Sequence, residues 1–389
     1  MFNPETCKRC GACLVLCPFI EMKKDQAKKE IVKLIDNKIK DTVLASCAAC
    51  SFCDSICPTQ SNPSALRKEI LRKHNRENGV TCLGIISDEV PFNIMHAGLE
   101  TDKEEKLARV SVLSNPEPCE EVFYLGCSLS YIYTDLAKTG LLDKLPAIGG
   151  LKYCCGSYVN YLFGEKEAKI KGQQLLSDFK KIGVKKMITF CPECDNMLGN
   201  VYPSLIKEFD IQVISIIDYL LDKYKTGHLE FFRPIDKVVT FHDACGWRNL
   251  NSPIYESSRE LLRAMGAQVV EMKHNRKQSM CCGTPLSPRN SKLASQIAEK
   301  RVLEAKVTGA QALVVGCTGC FSLSGKAAKH GLDIYHITEL VQQALGEKPP
   351  HQTEETRKHL ISNIMTKIIA EPDLLQHKYV IEAGTIKTI

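Results

Sequence analysis

Residues 238–245 read Val-Val-Thr-Phe-His-Asp-Ala-Cys, and residues 312–320 read Ala-Leu-Val-Val-Gly-Cys-Thr-Gly-Cys. Each is an apolar run of strand length, rich in β-branched residues, with a cysteine just past its end. Between them, Ile254 to Met265 recurs at helical spacing and Gln268 to Met272 forms a second β-type run. Cys281-Cys282-Gly283 follows, and then Leu293, Ile297, Arg301 and Ala305 share one face of a further helix. Strands alternating with helices predict an α/β unit with parallel pairing. Its cysteines then gather at one edge of the sheet, beyond the strand ends, where sites of such folds lie.

The same order occurs upstream. Val122-Phe123-Tyr124-Leu125-Gly126-Cys127 leads to Cys154-Cys155-Gly156, a helical run from Glu165 to Lys181, and Met187-Ile188-Thr189-Phe190-Cys191-Pro192-x-Cys194. The exits correspond as well, Ile214 to Leu221 in one copy and Ile337 to Leu345 in the other. Two tandem repeats are therefore expected, over 118–225 and 235–347. Neighbouring cysteines do not close a comfortable disulfide with each other. Together with a Cys-x2-Cys they offer four sulfurs to one spot, and Cys127 or Cys245 adds a fifth. Five soft donors exceed what tetrahedral zinc uses, so each repeat is read as an iron–sulfur site.

The first 85 residues carry different cysteine spacing. Cys7-x2-Cys10-x2-Cys13-x3-Cys17-Pro18 is matched by Cys47-x2-Cys50-x2-Cys53-x3-Cys57-Pro58. This is the two-cluster bacterial ferredoxin pattern, in which the fourth cysteine of each run ligates the other cluster. Cys7, Cys10, Cys13 and Cys57 are assigned to one cubane [4Fe–4S] cluster, and Cys47, Cys50, Cys53 and Cys17 to a second. Zinc needs no crossed arrangement of this kind. The intervening Ile31, Leu34, Ile35 and Ile39 recur at helical spacing. Pro63 stands in the first turn of another helix that runs through Ala65 to Leu71. An α-helical ferredoxin domain over 1–85 is expected, not the small β-sheet type.

The whole chain has 389 residues, enough for two to three domains. Its 20 cysteines accompany neither a basic region followed by an apolar stretch at MFNPETCKRC nor any segment long enough to span a bilayer. A secreted disulfide scaffold and an integral membrane protein are excluded, and a reducing, cytoplasmic setting is expected, with peripheral attachment to a membrane through partners as the alternative. The formal charge of +6 counts every cysteine as neutral, so nucleic acid is not an expected partner. Lysines at 23, 24, 28, 29, 33, 38 and 40, and the set Arg67, Lys68, Arg72, Lys73 and Arg76, read as solvated helix faces, with a docking surface for an acidic redox partner as the alternative.

Two ferredoxin motifs followed by two such repeats resemble the CCG-domain iron–sulfur family, in the order found in the catalytic subunit of heterodisulfide reductase. The arrangement is also similar to iron–sulfur subunits of anaerobic glycerol-3-phosphate, glycolate and lactate dehydrogenases and of tungsten-dependent benzoyl-CoA reductases. The resemblance spans residue 5 to about 345. It implies two noncubane [4Fe–4S] clusters facing each other across the repeats, splitting a disulfide homolytically with one thiyl-derived sulfur stabilised at each. One would take Cys127, Cys154, Cys155, Cys191 and Cys194, the other Cys245, Cys281, Cys282, Cys317 and Cys320. The implied function is thiol/disulfide reduction within a multi-subunit complex, with flavin- or metal-containing redox subunits as partners and a small-molecule disulfide as substrate. A non-catalytic relay to a flavin, tungsten or quinone partner is the alternative. No Gly-rich dinucleotide loop is present, so no bound flavin or nicotinamide is expected.

One interval departs from the pattern. Cys127 and Cys154 are separated by 26 residues, whereas Cys245 and Cys281 are separated by 35. Cys119 would restore the interval but lies in a loop-like Asn115-Pro116-Glu117-Pro118, so Cys127 is favoured, with a lost strand or shortened helix near Leu145 to Gly150. His242-Asp243 is either a partner to a cluster sulfur or a capped turn. Trp247, Arg248 and Arg289 are candidates for a pocket near the second site, with an exposed arginine as the default. Cys82 reads as a small buried hydrophobe. Pro349-Pro350 opens a tail, 348–389, whose Leu360, Ile361, Ile364, Ile368 and Ile369 stripe is read as a partner-docking arm.

Overall fold

The computed structural model describes residues 1–36, 41–138, 140, 145–250, 252–351 and 353–389. Ile39, Lys38 and Lys40 fall outside them. The architecture is mixed α/β, with two four-stranded parallel sheets. In the first, β1 (Glu121–Gly126), β2 (Ala147–Gly149), β3 (Lys186–Thr189) and β4 (Gln212–Ser215) lie in the order β2-β1-β3-β4. In the second, β5 (Val238–His242), β6 (Gln268–Val270), β7 (Ala312–Val315) and β8 (Asp333–His336) lie in the order β6-β5-β7-β8. The registers correspond too: Tyr124 pairs with Thr189, and His242 pairs with Val315. Both partners lie two residues before the first cysteine of a Cys-x2-Cys. The central strands are buried along nearly their whole length, as parallel strands covered on both faces must be.

Helix termini are set by local chemistry. The Ser215 hydroxyl accepts from the Asp218 amide, and Asn290 caps Ser291–Val307 through the Leu293 amide at 3.0 Å. His336 and Glu339 form a capping box at the start of Ile337–Ala344. In the first repeat the strand β2 is present, so no strand has been lost. The shortening lies in the helix: the second repeat has Ile254–Ala264 after its first cysteine, and the first has only Ser128–Tyr131 and a 3-10 turn at Thr134–Ala137 among the described residues.

Before Glu121 the described residues contain helices and no β-strand. Ile31 and Leu34 pack with Leu14, Val43, Ile70 and Leu71. Pro63 begins the helix Pro63–Asn78, and Asp54 stands in for a cap by accepting from the Ser64 amide at 2.8 Å. Arg67 and Arg72 of this helix are not part of a solvated face, whereas Arg76 is exposed and pairs with Glu69. Arg72 donates to the carbonyl and side chain of Asn160, and Arg76 donates to the Phe163 carbonyl, fastening the helix to the first sheet's unit. Arg67 is 2% exposed and points between the cysteines.

From Thr353 the chain lies back on its own body. Asn363 in the helix Thr353–Ala370 donates to the Ala97 carbonyl. The antiparallel hairpin of β9 (Tyr379–Glu382) and β10 (Thr385–Thr388) bridges to Val80 through Tyr379. Leu374, Tyr379 and Ile381 are buried with Cys82, Ile85 and Phe92. The outer face of the helix keeps Ile361, Met365 and Ile369 exposed.

Each buried apolar side chain of the tail contributes about 1.5–3 kcal/mol. Truncation after Lys348 removes three of them and uncovers their partners. A clearly lower urea midpoint is the expected outcome, and an unchanged midpoint would make the tail a detachable arm.

Candidate metal centres and the cavity between them

In both N-terminal motifs the backbone turns left-handed at the same two places. These are Arg9 and Gly11 in the first, and Ala49 and Ser51 in the second. Such residues at alternate positions curl a short loop so that sulfurs spaced three apart face one point. At Gly11 a Cβ would lie 2.7 Å from the Ala27 backbone, which only glycine avoids. The structure brings Cys13 together with Cys7 and Cys57, and Cys17 together with Cys47 and Cys50. Cys53 lies with Cys47 and Cys50, and Cys10 is the exposed member of its set. The fourth cysteine of each run thus crosses to the other set.

Arg67 stands between the two sets. It donates to the Cys13 carbonyl at 2.6 Å and approaches Cys17 Sγ at 3.8 Å. It forms no ion pair with a carboxylate among the described residues. Burial opposes its charge, and Cys53, Cys17, Cys47 and Cys13 together hold its pKa well above the usual value. An unpaired buried guanidinium costs several kcal/mol. A thiolate-bound iron–sulfur group supplies the missing negative charge, so the residues present fit such a group at both sets.

In the first sheet's unit, Cys127 Sγ lies 3.9 Å from Cys154 Sγ. Hydrogen-bonding contacts then run from Cys154 to Cys155, from Cys155 to Cys194, and from Cys194 to Cys191. Cys119 is at the opposite end of β1, about 20 Å away at strand rise, with its amide on the Ile182 carbonyl. In the second unit, Cys281 Sγ is 3.9 Å from Cys245 Sγ. Cys281 contacts Cys282 in the same way, and Cys282 and Cys317 both contact Cys320. Each pocket holds five sulfurs, soft donors of the kind an iron–sulfur group takes.

The two units meet through their cysteine loops, each loop touching the opposite kind. Ser128, just after Cys127, donates to the Thr318 hydroxyl at 2.9 Å. Trp247, just after Cys245, donates from Nε1 to Asp195 at 2.6 Å. Thr189 donates to the same carboxyl, and burial pushes Asp195 up to about 7. At the junction, Cys191 and Cys317 are within hydrogen-bonding reach of each other. Cys50 of the N-terminal part reaches Cys281 in the same way. That hydrogen bond, followed by the Arg248 guanidinium, holds the Cys50 thiol down to about 6 against burial.

Two expectations about arginines are corrected here. Arg248 is buried and donates to the carbonyls of Cys50, Ser279 and Lys277, joining the N-terminal part to the second unit. Arg289 donates to the carbonyls of Leu44 and Cys47. Neither is free, because each satisfies loop carbonyls that the cysteine turns leave without partners. Asp243 is bound by Arg259 at 2.5 and 2.9 Å and accepts from the Arg276 amide. Trp247 stacks on Phe241 and is buried at the junction, not in a pocket wall. Cys82 is fully buried, as expected. The roles of Arg67, Asp195 and Ser128 went unread in the sequence. Lysines and arginines in a helix signal only exposure until their partners, some 50 residues away, are known.

A cavity of about 660 Å³ opens beside Cys282 and is lined also by Ser128, Thr318 and Gly319. Its walls are mostly apolar and include Met95, Ile132, Leu360 and Ile364, so the tail helix closes one side.

The family model for a 4Fe-4S dicluster domain matches residues 6–62, and the model for the cysteine-rich CCG domain matches twice, over 122–199 and 239–323. The chain belongs to the CCG-domain iron–sulfur proteins. Over most of its length it is homologous to one of the subunits of heterodisulfide reductase. Against that polypeptide of the dihydromethanophenazine:CoB–CoM heterodisulfide reductase of Methanosarcina barkeri it is 24% identical, covering 88% of this chain and 94% of that one. It is 30% identical over 44% of its length to the probable iron-sulfur-binding oxidoreductase FadF of Bacillus subtilis, and spans 25% of that protein. It is 25% identical over 66% of its length to the EtfAB:quinone oxidoreductase of Syntrophomonas wolfei, and spans 39% of it. A solved hypothetical protein from Helicobacter pylori shares the fold, with a TM-score of 0.52 and 12% identity over 87% of this chain and 70% of that one. No helix among the described residues is long and apolar enough to cross a membrane.

Replacing Cys127 by Ala is expected to lower bound iron by about one centre's worth, while Cys119→Ala leaves iron unchanged. Iron and sulfide assays on the purified variants decide between them. No loss of iron in Cys127→Ala relative to Cys119→Ala would remove Cys127 from the set.

Proposed function

We propose that this chain is an iron–sulfur oxidoreductase subunit of a multi-subunit redox complex that delivers electrons to a small-molecule disulfide. Its parts are an α-helical ferredoxin domain over 1–85, CCG repeats over 118–225 and 235–347, and the tail 348–389. Two cubane [4Fe–4S] clusters use Cys7, Cys10, Cys13 and Cys57, and Cys47, Cys50, Cys53 and Cys17. Two noncubane clusters use Cys127, Cys154, Cys155, Cys191 and Cys194, and Cys245, Cys281, Cys282, Cys317 and Cys320. When bound, these groups store and pass single electrons.

The observation that carries this reading is a series of sulfur contacts that runs from Cys50 to Cys281, on through Cys282 and Cys320, and ends where Cys317 meets Cys191. Arg67 stands between its start and the set that holds the exposed Cys10. Cys10 gives a partner access to one end. Ser128 and Thr318 stand beside the cysteines at the other, where the cavity wall is mostly apolar. Arg67 and Arg248 offset the negative charge of the thiolates along the way. A disulfide bound there takes two electrons and two protons and leaves as two thiols, R–S–S–R′ + 2e⁻ + 2H⁺ → RSH + R′SH. The donor is a flavin- or metal-containing member of the complex.

A second reading keeps the same wiring and makes the chain a relay to a separate quinone or flavin site. It is supported by the likeness to the Syntrophomonas and Bacillus proteins. Titration of the oxidised holoprotein with small thiols, followed by EPR, separates the two. A new paramagnetic, thiol-dependent signal that Cys282→Ala abolishes is expected for catalysis. Silence toward every thiol, with the reduced-cluster signals intact, would leave the relay.

A further inference from the structure

His242 ends strand β5, is 1% exposed, and sits against the second CCG cysteine set. A ring nitrogen of His242, Cys282 Sγ and Cys320 Sγ lie within 4.8 Å of one another, a grouping that would suit a metal ligand. The protonation of the ring excludes that role. Arg301 Nε donates to His242 Nδ1 at 2.9 Å. A guanidinium only donates, so Nδ1 must present its lone pair, and the proton of the neutral ring is on Nε2. Arg301 is itself fixed, donating to the His274 carbonyl, Glu304 and the Ser279 hydroxyl. The Nε2–H therefore has no lone pair to give to iron. It is buried with no hydrogen-bond partner among the described residues, and the sulfurs of Cys282 and Cys320 are what stand beside the ring.

The first unit has no equivalent donor at this position among the described residues. Tyr124 occupies the same place, three residues before the first cysteine and opposite the residue two before the Cys-x2-Cys. Its only proton goes to the Tyr153 carbonyl. The two centres thus share a ligand pattern and differ in hydrogen bonding.

We infer that His242 is a positioning residue that donates a fixed Nε2–H···S hydrogen bond to the second CCG centre, making that centre easier to reduce than the first. A donor to a cluster sulfur favours the more negative, reduced state. With the group bound, an electron arriving by way of Cys50 and Cys281 would rest at the second centre, beside the cavity. This inference rests on the reading that Cys245, Cys281, Cys282, Cys317 and Cys320 hold an iron–sulfur group.

The test is an EPR-monitored potentiometric titration of the full-length holoprotein and three variants. His242→Phe is expected to shift the reduction equilibrium of one CCG centre about tenfold toward oxidation, which is ~59 mV for a one-electron couple, and to leave iron content and the cubane signals unchanged. His242→Gln, which keeps an N–H donor, is expected to restore most of the shift, and Tyr124→Phe to move neither centre. Exchange into deuterium oxide is expected to change a weak proton coupling in the second centre's ENDOR spectrum in the wild type and not in His242→Phe. An unchanged potential in His242→Phe at full iron content overturns the inference. So does a strong directly bonded nitrogen coupling in the wild type, or loss of the second centre's iron in both His242 variants. Absence of a second CCG signal in the wild type would instead fail the ligand reading beneath it.

Discussion

The junction between the two Cys-x2-Cys loops holds the two halves of the cysteine array in place. Trp247 reaches from the second unit to Asp195 in the first, and Ser128 reaches from the first to Thr318 in the second. These reciprocal bonds relate the units approximately as two-fold partners. At their common point Cys191 and Cys317, equivalent in the two repeats, come together. The packing leaves little slack. A Cβ at Gly316 would lie 2.4 Å from the Trp247 ring, and one at Gly246 would lie 2.9 Å from the Pro192 backbone.

Charge is the second constraint. Twenty cysteines, many of them buried, cannot carry thiolate charge inside a protein without compensation. The structure meets this with guanidinium groups, Arg67 between the N-terminal sets and Arg248 between Cys50 and the second CCG set. Arginine suits this work because it stays charged when buried and can satisfy loop carbonyls with its remaining protons. Arg259 serves elsewhere, binding Asp243 and Glu271 and so bracing the turn that carries Cys245.

The likeness between the two repeats is close in topology and looser in detail. Both sheets share strand order and register, and in both the cysteines emerge at the carboxyl edge. They differ in the helix after the first cysteine and in the residue behind the cluster pocket, Tyr124 in one and His242 in the other. The short Ser128–Tyr131 helix leaves Ile132 and Tyr133 to line the cavity. The tail helix then completes the wall with Leu360 and Ile364. The departure in spacing between Cys127 and Cys154 is thus part of how the cavity is built.

The cysteine sets, the strand and helix order and the duplicated plan are legible in the chain before it folds. Those features are written in contiguous stretches, as three-residue cysteine steps, apolar runs and helical periodicity. Even the preference for Cys127 over Cys119 was available locally, from a cysteine that ends an apolar strand. Which sulfur sets are neighbours emerges only in three dimensions, as does the use of Arg67, Arg248 and Arg289 as interior clamps. The same holds for the placement of the tail from Thr353 on the body and for the Arg301 guanidinium that fixes the His242 ring. Each of these depends on partners distant in sequence, such as Arg248 with Cys50, Arg301 with His242, and Asn363 with Ala97. No local pattern records such a pairing, because residue type states what a side chain can bond and only the fold states what stands opposite it.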